Sequence, residues 1–186
     1  MSRAASRTLD LVRAAATGQS IPHAPGVFGL AIDSREQRPQ LHVSIPWVVC
    51  ALPAGDYAAL GYESEIAVER KSLADLFGSV TRDNARFQRE LEKLAKYTFA
   101  AVVIEGSQRD LMRGVRYSQI PGGRVLSTCA TLEAKHGVPF HFATDRAGAT
   151  LWTFELLEAA WRRAEDQKRL SAKAALEAAL TGTGPR

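Results

Sequence analysis

Residues 65–71, Glu-Ile-Ala-Val-Glu-Arg-Lys, read as a β-strand, and this segment constrains the fold more than any other. Strand side chains alternate between faces, so Ile66, Val68 and Arg70 lie on one side and Ala67, Glu69 and Lys71 on the other. A carboxylate and an ammonium group therefore point the same way. Thirteen residues before Glu69, Asp56 stands in the tight Ala54-Gly55-Asp56-Tyr57 segment, within one hairpin of that strand. Two carboxylates and a lysine then share a pocket. Carboxylate oxygens are hard ligands suited to Mg²⁺ or Mn²⁺, which keep several waters and admit a substrate phosphate. The set fits phosphodiester hydrolysis, with Lys71 aligning a water or offsetting charge in the transition state. On spacing alone, an exposed charged strand face fits as well.

The neighbours extend the pattern. Gly55-Asp56, twelve residues, Glu69-Arg70-Lys71, three residues, Asp75 resembles the signature of the XPF-type structure-specific endonucleases, a branch of the PD-(D/E)xK nuclease superfamily. Ala31-Ile32-Asp33-Ser34-Arg35-Glu36 is similar to that family's first strand and its Asp-x-Arg-Glu turn, and Leu52 to Tyr57 to its Gly-Asp turn. Arg86-Phe87-Gln88-Arg89-Glu90-Leu91 and Val102-Val103-Ile104-Glu105-Gly106 are similar to its next helix and core strand. The resemblance spans about residues 27–162.

The resemblance implies that Asp56, Glu69 and the Arg70 backbone carbonyl bind Mg²⁺ or Mn²⁺ and that Lys71 is catalytic. Asp33 would stand beside the metal as an outer-shell acid or as a ligand to a second ion. Arg35, Glu36, Arg70 and Asp75 would complete the polar site. For Asp75 a second duty competes, because Ser72-Leu73-Ala74-Asp75 reads as a capping box in which an acid is expected anyway. The implied function is a DNA endonuclease acting on branched or flapped DNA in repair or recombination. A nickase, restriction-like enzyme or exonuclease fits the same motif. From another class, so does a catalytically silent DNA-binding scaffold, although silent relatives lose the acids and the lysine that stand here.

Bulk properties agree with this reading without carrying it. A chain of 186 residues, 46% apolar and 24% charged, is long enough for one packed domain. A net charge of +4 favours a polyanionic partner only mildly. Cys50 and Cys129 are isolated, which points to neither a zinc site nor a disulfide framework. His23, His42, His136 and His141 are scattered, without suggestive partners. No run reaches membrane-spanning length and no signal-like apolar core opens the chain, so a cytoplasmic protein is expected, nucleoid-associated if bacterial or phage.

The pattern predicts a mixed central sheet flanked by helices, an α/β arrangement, and the resemblance implies a restriction-endonuclease-like nuclease core. Residues 1–26 read as an N-terminal helix and linker, 27–164 as the nuclease domain, and 165–186 as a C-terminal helix and disordered tail. Expected strands fall near 27–33, 41–51, 56–62, 65–71, 99–104 and 138–142, and helices near 72–80, 82–97, 107–113, 123–136, 146–164 and 166–180. In the 82–97 helix Phe87, Leu91 and Leu94 form a core stripe, while Arg82, Arg86, Arg89, Lys93 and Lys96 form a row able to track phosphates. Glu90 and Glu92 offer ion pairs to that row, so a salt-bridged face is the alternative. Arg86 and Gln88 match the family pattern and are expected at the edge of the site. Arg116, Tyr117 and the Pro121-Gly122-Gly123-Arg124 segment read as a flexible loop able to grip DNA. Bulky residues between Leu151 and Trp161 exceed what one sheet face needs, and the resemblance implies a homodimer through the C-terminal helices. No helicase segment or tandem helix-hairpin-helix pattern flanks the domain, and a stand-alone nuclease is expected.

Overall fold

The strand that organises the sequence also organises the fold. In the computed structural model, which describes residues 26–41, 45–116 and 118–181, six strands form one sheet. They are β1 (Leu30–Asp33), β2 (Trp47–Cys50), β3 (Tyr57–Ala59), β4 (Ile66–Ser72), β5 (Phe99–Glu105) and β6 (Phe140–Phe142). Their order is β2-β1-β3-β4-β5-β6. β3 runs antiparallel to both β1 and β4, whereas β1 pairs with β2, and β4, β5 and β6 with one another, in parallel. Val102, Val103 and Ile104 of β5 are fully buried, as a central strand covered on both faces requires.

Five helices cover the sheet: α1 (Leu73–Ser79), α2 (Asn84–Leu94), α3 (Gln108–Arg113), α4 (Gly122–His136) and α5 (Arg146–Thr181). The first four pack with Ala31, Ala67, Val102 and Ile104 on one face, where Phe87, Leu91 and Leu94 form the expected core stripe of α2. Each such buried side chain contributes about 1.5–3 kcal/mol. On the opposite face Phe154, Leu157 and Trp161 of α5 cover Ile32, Tyr57, Val68 and Val103. The mixed α/β architecture is the one the sequence predicts.

Three details differ from the sequence reading. The helices expected at 146–164 and 166–180 are a single helix of 36 residues, α5, because no glycine or proline falls between Ala149 and Thr181. Beyond Lys168, whose Nζ lies 3.9 Å from the Tyr62 ring centroid, that helix is almost wholly exposed. Gly122 and Gly123 are not a loop: they open α4 behind Pro121. A Cβ on Gly122 would lie 2.0 Å from the Leu111 carbonyl oxygen, so glycine here permits close packing of α3 against α4. The strand near 41–51 is confined to Trp47–Cys50 among the described residues. The predicted helix and linker within residues 1–25, and the tail at 182–186, lie outside those residues.

Candidate active site

Asp56 is held from three directions. The turn before it needs glycine, since Gly55 has φ +79° and a Cβ there would sit 3.1 Å from the Val68 carbonyl oxygen. Asp56 N–H then donates to that carbonyl (3.0 Å), and its own carbonyl accepts from Asp33 N–H (2.9 Å). Its Oδ2 accepts from Arg70 N–H (2.8 Å). The carboxylate is thereby fixed between β1 and β4 by backbone groups alone.

Glu69 and Lys71 point to the same face of β4, as alternation requires. Lys71 Nζ donates to Glu69 Oε1 at 2.8 Å and lies 4.7 Å from the Phe87 ring centroid of α2. Both side chains are largely buried, 13% and 9% exposed. Burial pushes the Asp56 carboxyl well above the usual range, and Glu69 adds to the rise. Burial raises Glu69 too, opposed by the Lys71 ammonium. Burial alone would lower the Lys71 ammonium, but the Glu69 carboxylate outweighs it and the net shift is upward.

Asp33 occupies the same face at the end of β1, yet its carboxylate is already committed. Oδ1 accepts from Arg35 N–H and Nε–H (both 2.7 Å), while Oδ2 accepts from Arg35 Nη2 (2.7 Å) and Leu52 N–H (2.9 Å). That geometry suits an acid that braces the turn better than an open metal ligand. The Arg35 hydrogen bonds, opposed by burial, hold its pKa down at about 2. The folded value is below the unfolded one, so the stabilisation is present above about pH 4 and is lost as pH falls through about 2. Because Arg35 is largely exposed, Asp33→Asn is expected to cost only about 1–2 kcal/mol at pH 7. Denaturant unfolding at pH 7 and pH 3 should show the gap from the unmodified chain shrinking at the lower pH.

The opposite face of β4 carries a second polar cluster. Arg70 Nη2 donates to both Glu36 oxygens (3.0 and 2.9 Å), and Arg70 Nη1 donates to Glu105 Oε1 (2.6 Å). Gln40 Nε2 donates to the same Glu105 oxygen (3.0 Å), and Arg146 Nη1 lies 3.5 Å from it. Glu36 and Arg70 thus meet as expected, but their side chains sit behind the Asp56–Glu69–Lys71 pocket. Only the backbone of Arg70 belongs to that pocket.

The remaining expected residues divide. Asp75 accepts from Ser72 Oγ (2.6 Å) while its N–H donates back to Ser72 Oγ (3.1 Å), so it serves the start of α1. Arg82, Arg86, Arg89, Lys93 and Lys96 are exposed, and among the described residues none forms an ion pair, which removes the salt-bridged alternative. Gln88 faces away from the pocket, donating to Asn84 Oδ1 (2.5 Å) and accepting from Lys135 Nζ (2.6 Å). Arg116 and Arg124 are exposed near the junction of α3 and α4, and Tyr117 lies outside the described residues. Among the described residues Glu90 forms no ion pair with the basic row; it stands one turn beyond Phe87, and its charge acts on Glu69 and Lys71. The signal available in the sequence was its i+3 spacing from Phe87.

Among the described residues no three carboxylate, histidine or cysteine side chains gather closely enough to cage a metal ion. A hard dication does not need such a cage. Mg²⁺ commonly takes one or two carboxylates and fills its remaining positions with water and substrate phosphate. Asp56 Oδ1 and Glu69 Oε2 accept no hydrogen bond among the described residues, and Glu69 raises the proton affinity of Asp56. With the Arg70 carbonyl they are a donor set that fits such an ion.

The fold has counterparts among known proteins. The ERCC4 domain matches residues 32–156, about two-thirds of the chain. Among solved structures, XPF from Aeropyrum pernix superposes with a TM-score of 0.57 at 22% identity, over 70% of this chain and 60% of that one. XPF from Aeropyrum pernix in complex with DNA gives a TM-score of 0.55 at 23% identity, over 73% of this chain and 66% of that one. The chain therefore spans less than two-thirds of the length of either structure, and at such identities the likeness is one of fold. No curated protein matches the sequence.

Proposed function

This chain belongs to the ERCC4 domain family, and on that footing we propose that it is a divalent-metal-dependent DNA endonuclease. The observation that carries the reading is the pocket of Asp56, Glu69 and Lys71, a half-buried and a buried acid with uncommitted oxygens beside one half-buried ammonium. Asp56, Glu69 and the Arg70 carbonyl would hold Mg²⁺ or Mn²⁺, which when bound supplies Lewis-acid polarisation of the phosphoryl oxygen and lowers the pKa of water. Lys71, kept protonated by Glu69, donates a hydrogen bond toward the attacking water or the phosphoryl oxygen. It also offsets negative charge that grows on the phosphorane-like transition state. Asp33 and Arg35 brace the loop that brings β1 beside Asp56. The unpaired basic row of α2 supplies phosphate contacts that position the substrate without reading its sequence. A preference for branched or flapped DNA, a role in repair or recombination, and a homodimer built through the exposed part of α5 complete the proposal.

The test is direct. Purified protein is incubated with labelled linear, nicked, flapped, forked and four-way DNA in Mg²⁺, Mn²⁺ or chelator, beside Asp56→Asn. Cleavage is expected with either ion, on the branched forms first, and neither in chelator nor with the variant. Cutting that survives both conditions would overturn the site.

A further inference from the structure

A cavity of about 240 Å³ opens beside β6, at the sheet edge where β4 and β5 also end. Its wall includes a flat aromatic pair: His141 of β6 and Trp152 of α5 stack with ring centroids 5.2 Å apart and planes 17° from parallel. Trp152 remains 45% exposed, an unusual position for a large ring with no partner beyond its stack. The rim supplies hydrogen-bonding groups that nothing else uses. Among the described residues the Gln108 amide and the Thr144 hydroxyl make no hydrogen bond, and neither does Trp152 Nε1. Burial pushes the His141 imidazole down, which keeps the ring neutral near pH 7.

The register of the sheet places this cavity relative to Lys71. Lys71 pairs with Ile104, and Ile104 with Phe142, which lines the cavity. Two strand spacings separate Lys71 from Phe142, roughly 10 Å along the sheet, while His141, which pairs with Val103, lies with Trp152 on the α5 face, opposite Lys71. A strand whose phosphate lies at the Asp56–Glu69 pocket reaches the platform by passing over the carboxyl ends of β5 and β6, a path of several nucleotides. The volume is below the roughly 300–1,000 Å³ typical of drug-sized ligands, and suits one planar ring system with polar edges.

We propose that this cavity is a stacking subsite for one unpaired base of the DNA strand bound at the Asp56–Glu69–Lys71 pocket, with Trp152 and His141 as the platform. The proposal rests on the nuclease reading above and adds what the substrate must offer, an accessible base near the bond that is cut. Fully paired DNA cannot present one without opening, whereas a flap or single-stranded arm can.

The test uses the full chain in Ca²⁺ to suppress cutting, and a single-stranded oligonucleotide beside the same oligonucleotide made abasic at successive positions. The unmodified protein should bind the intact strand about five- to hundred-fold more tightly than the strand abasic at the critical position. Trp152→Ala and His141→Ala should bind both strands alike, with unchanged circular dichroism. A Trp152→Phe variant should recover part of the difference. Equal binding of intact and abasic strands by the unmodified protein would overturn the subsite, as would a Trp152→Ala variant that still discriminates. The latter result is also what a protein segment occupying the cavity would give. The pocket assignment fails separately, through Mg²⁺-dependent cutting of the branched substrates that Asp56→Asn does not abolish, and the nuclease reading fails if the unmodified protein binds these DNAs but cuts none of them. Absence of any DNA binding by the unmodified protein would sink both.

Discussion

Lys71→Ala is expected to slow Mg²⁺-dependent cleavage about 10²–10⁴-fold in single turnover while leaving the protein folded. The ammonium is the only cation among the described residues that contacts Glu69, at 2.8 Å, and it is held against the Phe87 ring. Removing it takes away a donor aimed into a water-poor pocket and leaves two acids whose proton affinities burial has already raised. Those acids would then favour a shared proton over two charges, which competes with metal binding. Mg²⁺ should therefore raise the melting temperature of the variant only at higher concentration than it does for the unmodified chain. Lys71→Arg keeps the charge but replaces a compact ammonium by a planar fork that the Phe87 contact has no room to orient, so it should recover little activity. Single-turnover rates within tenfold of the unmodified protein for Lys71→Ala would remove Lys71 from the mechanism.

Arg70→Ala should produce the largest loss of stability, about 3–5 kcal/mol, because it strips a partly buried cluster of its central cation. Glu36 and Glu105, 6% and 11% exposed, would be left facing each other with only the more exposed Arg146 nearby. The two backbone groups of Arg70 that serve the pocket survive substitution by alanine. Activity at low temperature should thus fall far less than stability, a split that separates a positioning role from a catalytic one. Urea titrations read the stability term, and a shift corresponding to less than about 1 kcal/mol would show that solvent replaces the cluster at little cost.

How much of this was legible beforehand depended on sequence distance. The Glu69–Lys71 contact is two residues long and follows from strand alternation; Asp56 reaches Arg70 through a hairpin whose glycine marks the turn. The Arg70–Glu105 pair joins residues thirty-five apart, and the parallel register of β4 on β5 that brings them together leaves no local trace. Helix spacing offers Glu90 only the bases of its own helix, such as Arg86, and that its charge acts on Lys71 of β4 follows from the docking of α2 through Phe87. Pro121-Gly122-Gly123 carried the composition of a loop, yet the missing Cβ of Gly122 serves the approach of α4 to Leu111. The split of α5 at Glu165-Asp166 placed a boundary where only charge density changes. The family signature, by contrast, is contiguous sequence, and it located the pocket before any contact was known.

The way Asp56 is tied to two strands at once also sets how the site can fail. Its N–H and carbonyl groups, and the Arg70 N–H that reaches its carboxylate, bridge β1, β3 and β4 near the middle of the sheet, away from its frayable edges. Opening that bridge means separating central strand pairs, which belong to the last cooperative unit to unfold, so these amides share the slow solvent exchange of the whole domain. The pocket has no soft mode of its own. Loss of its geometry on heating and loss of the fold are a single event, and any freedom that substrate binding requires must reside in the peripheral segments.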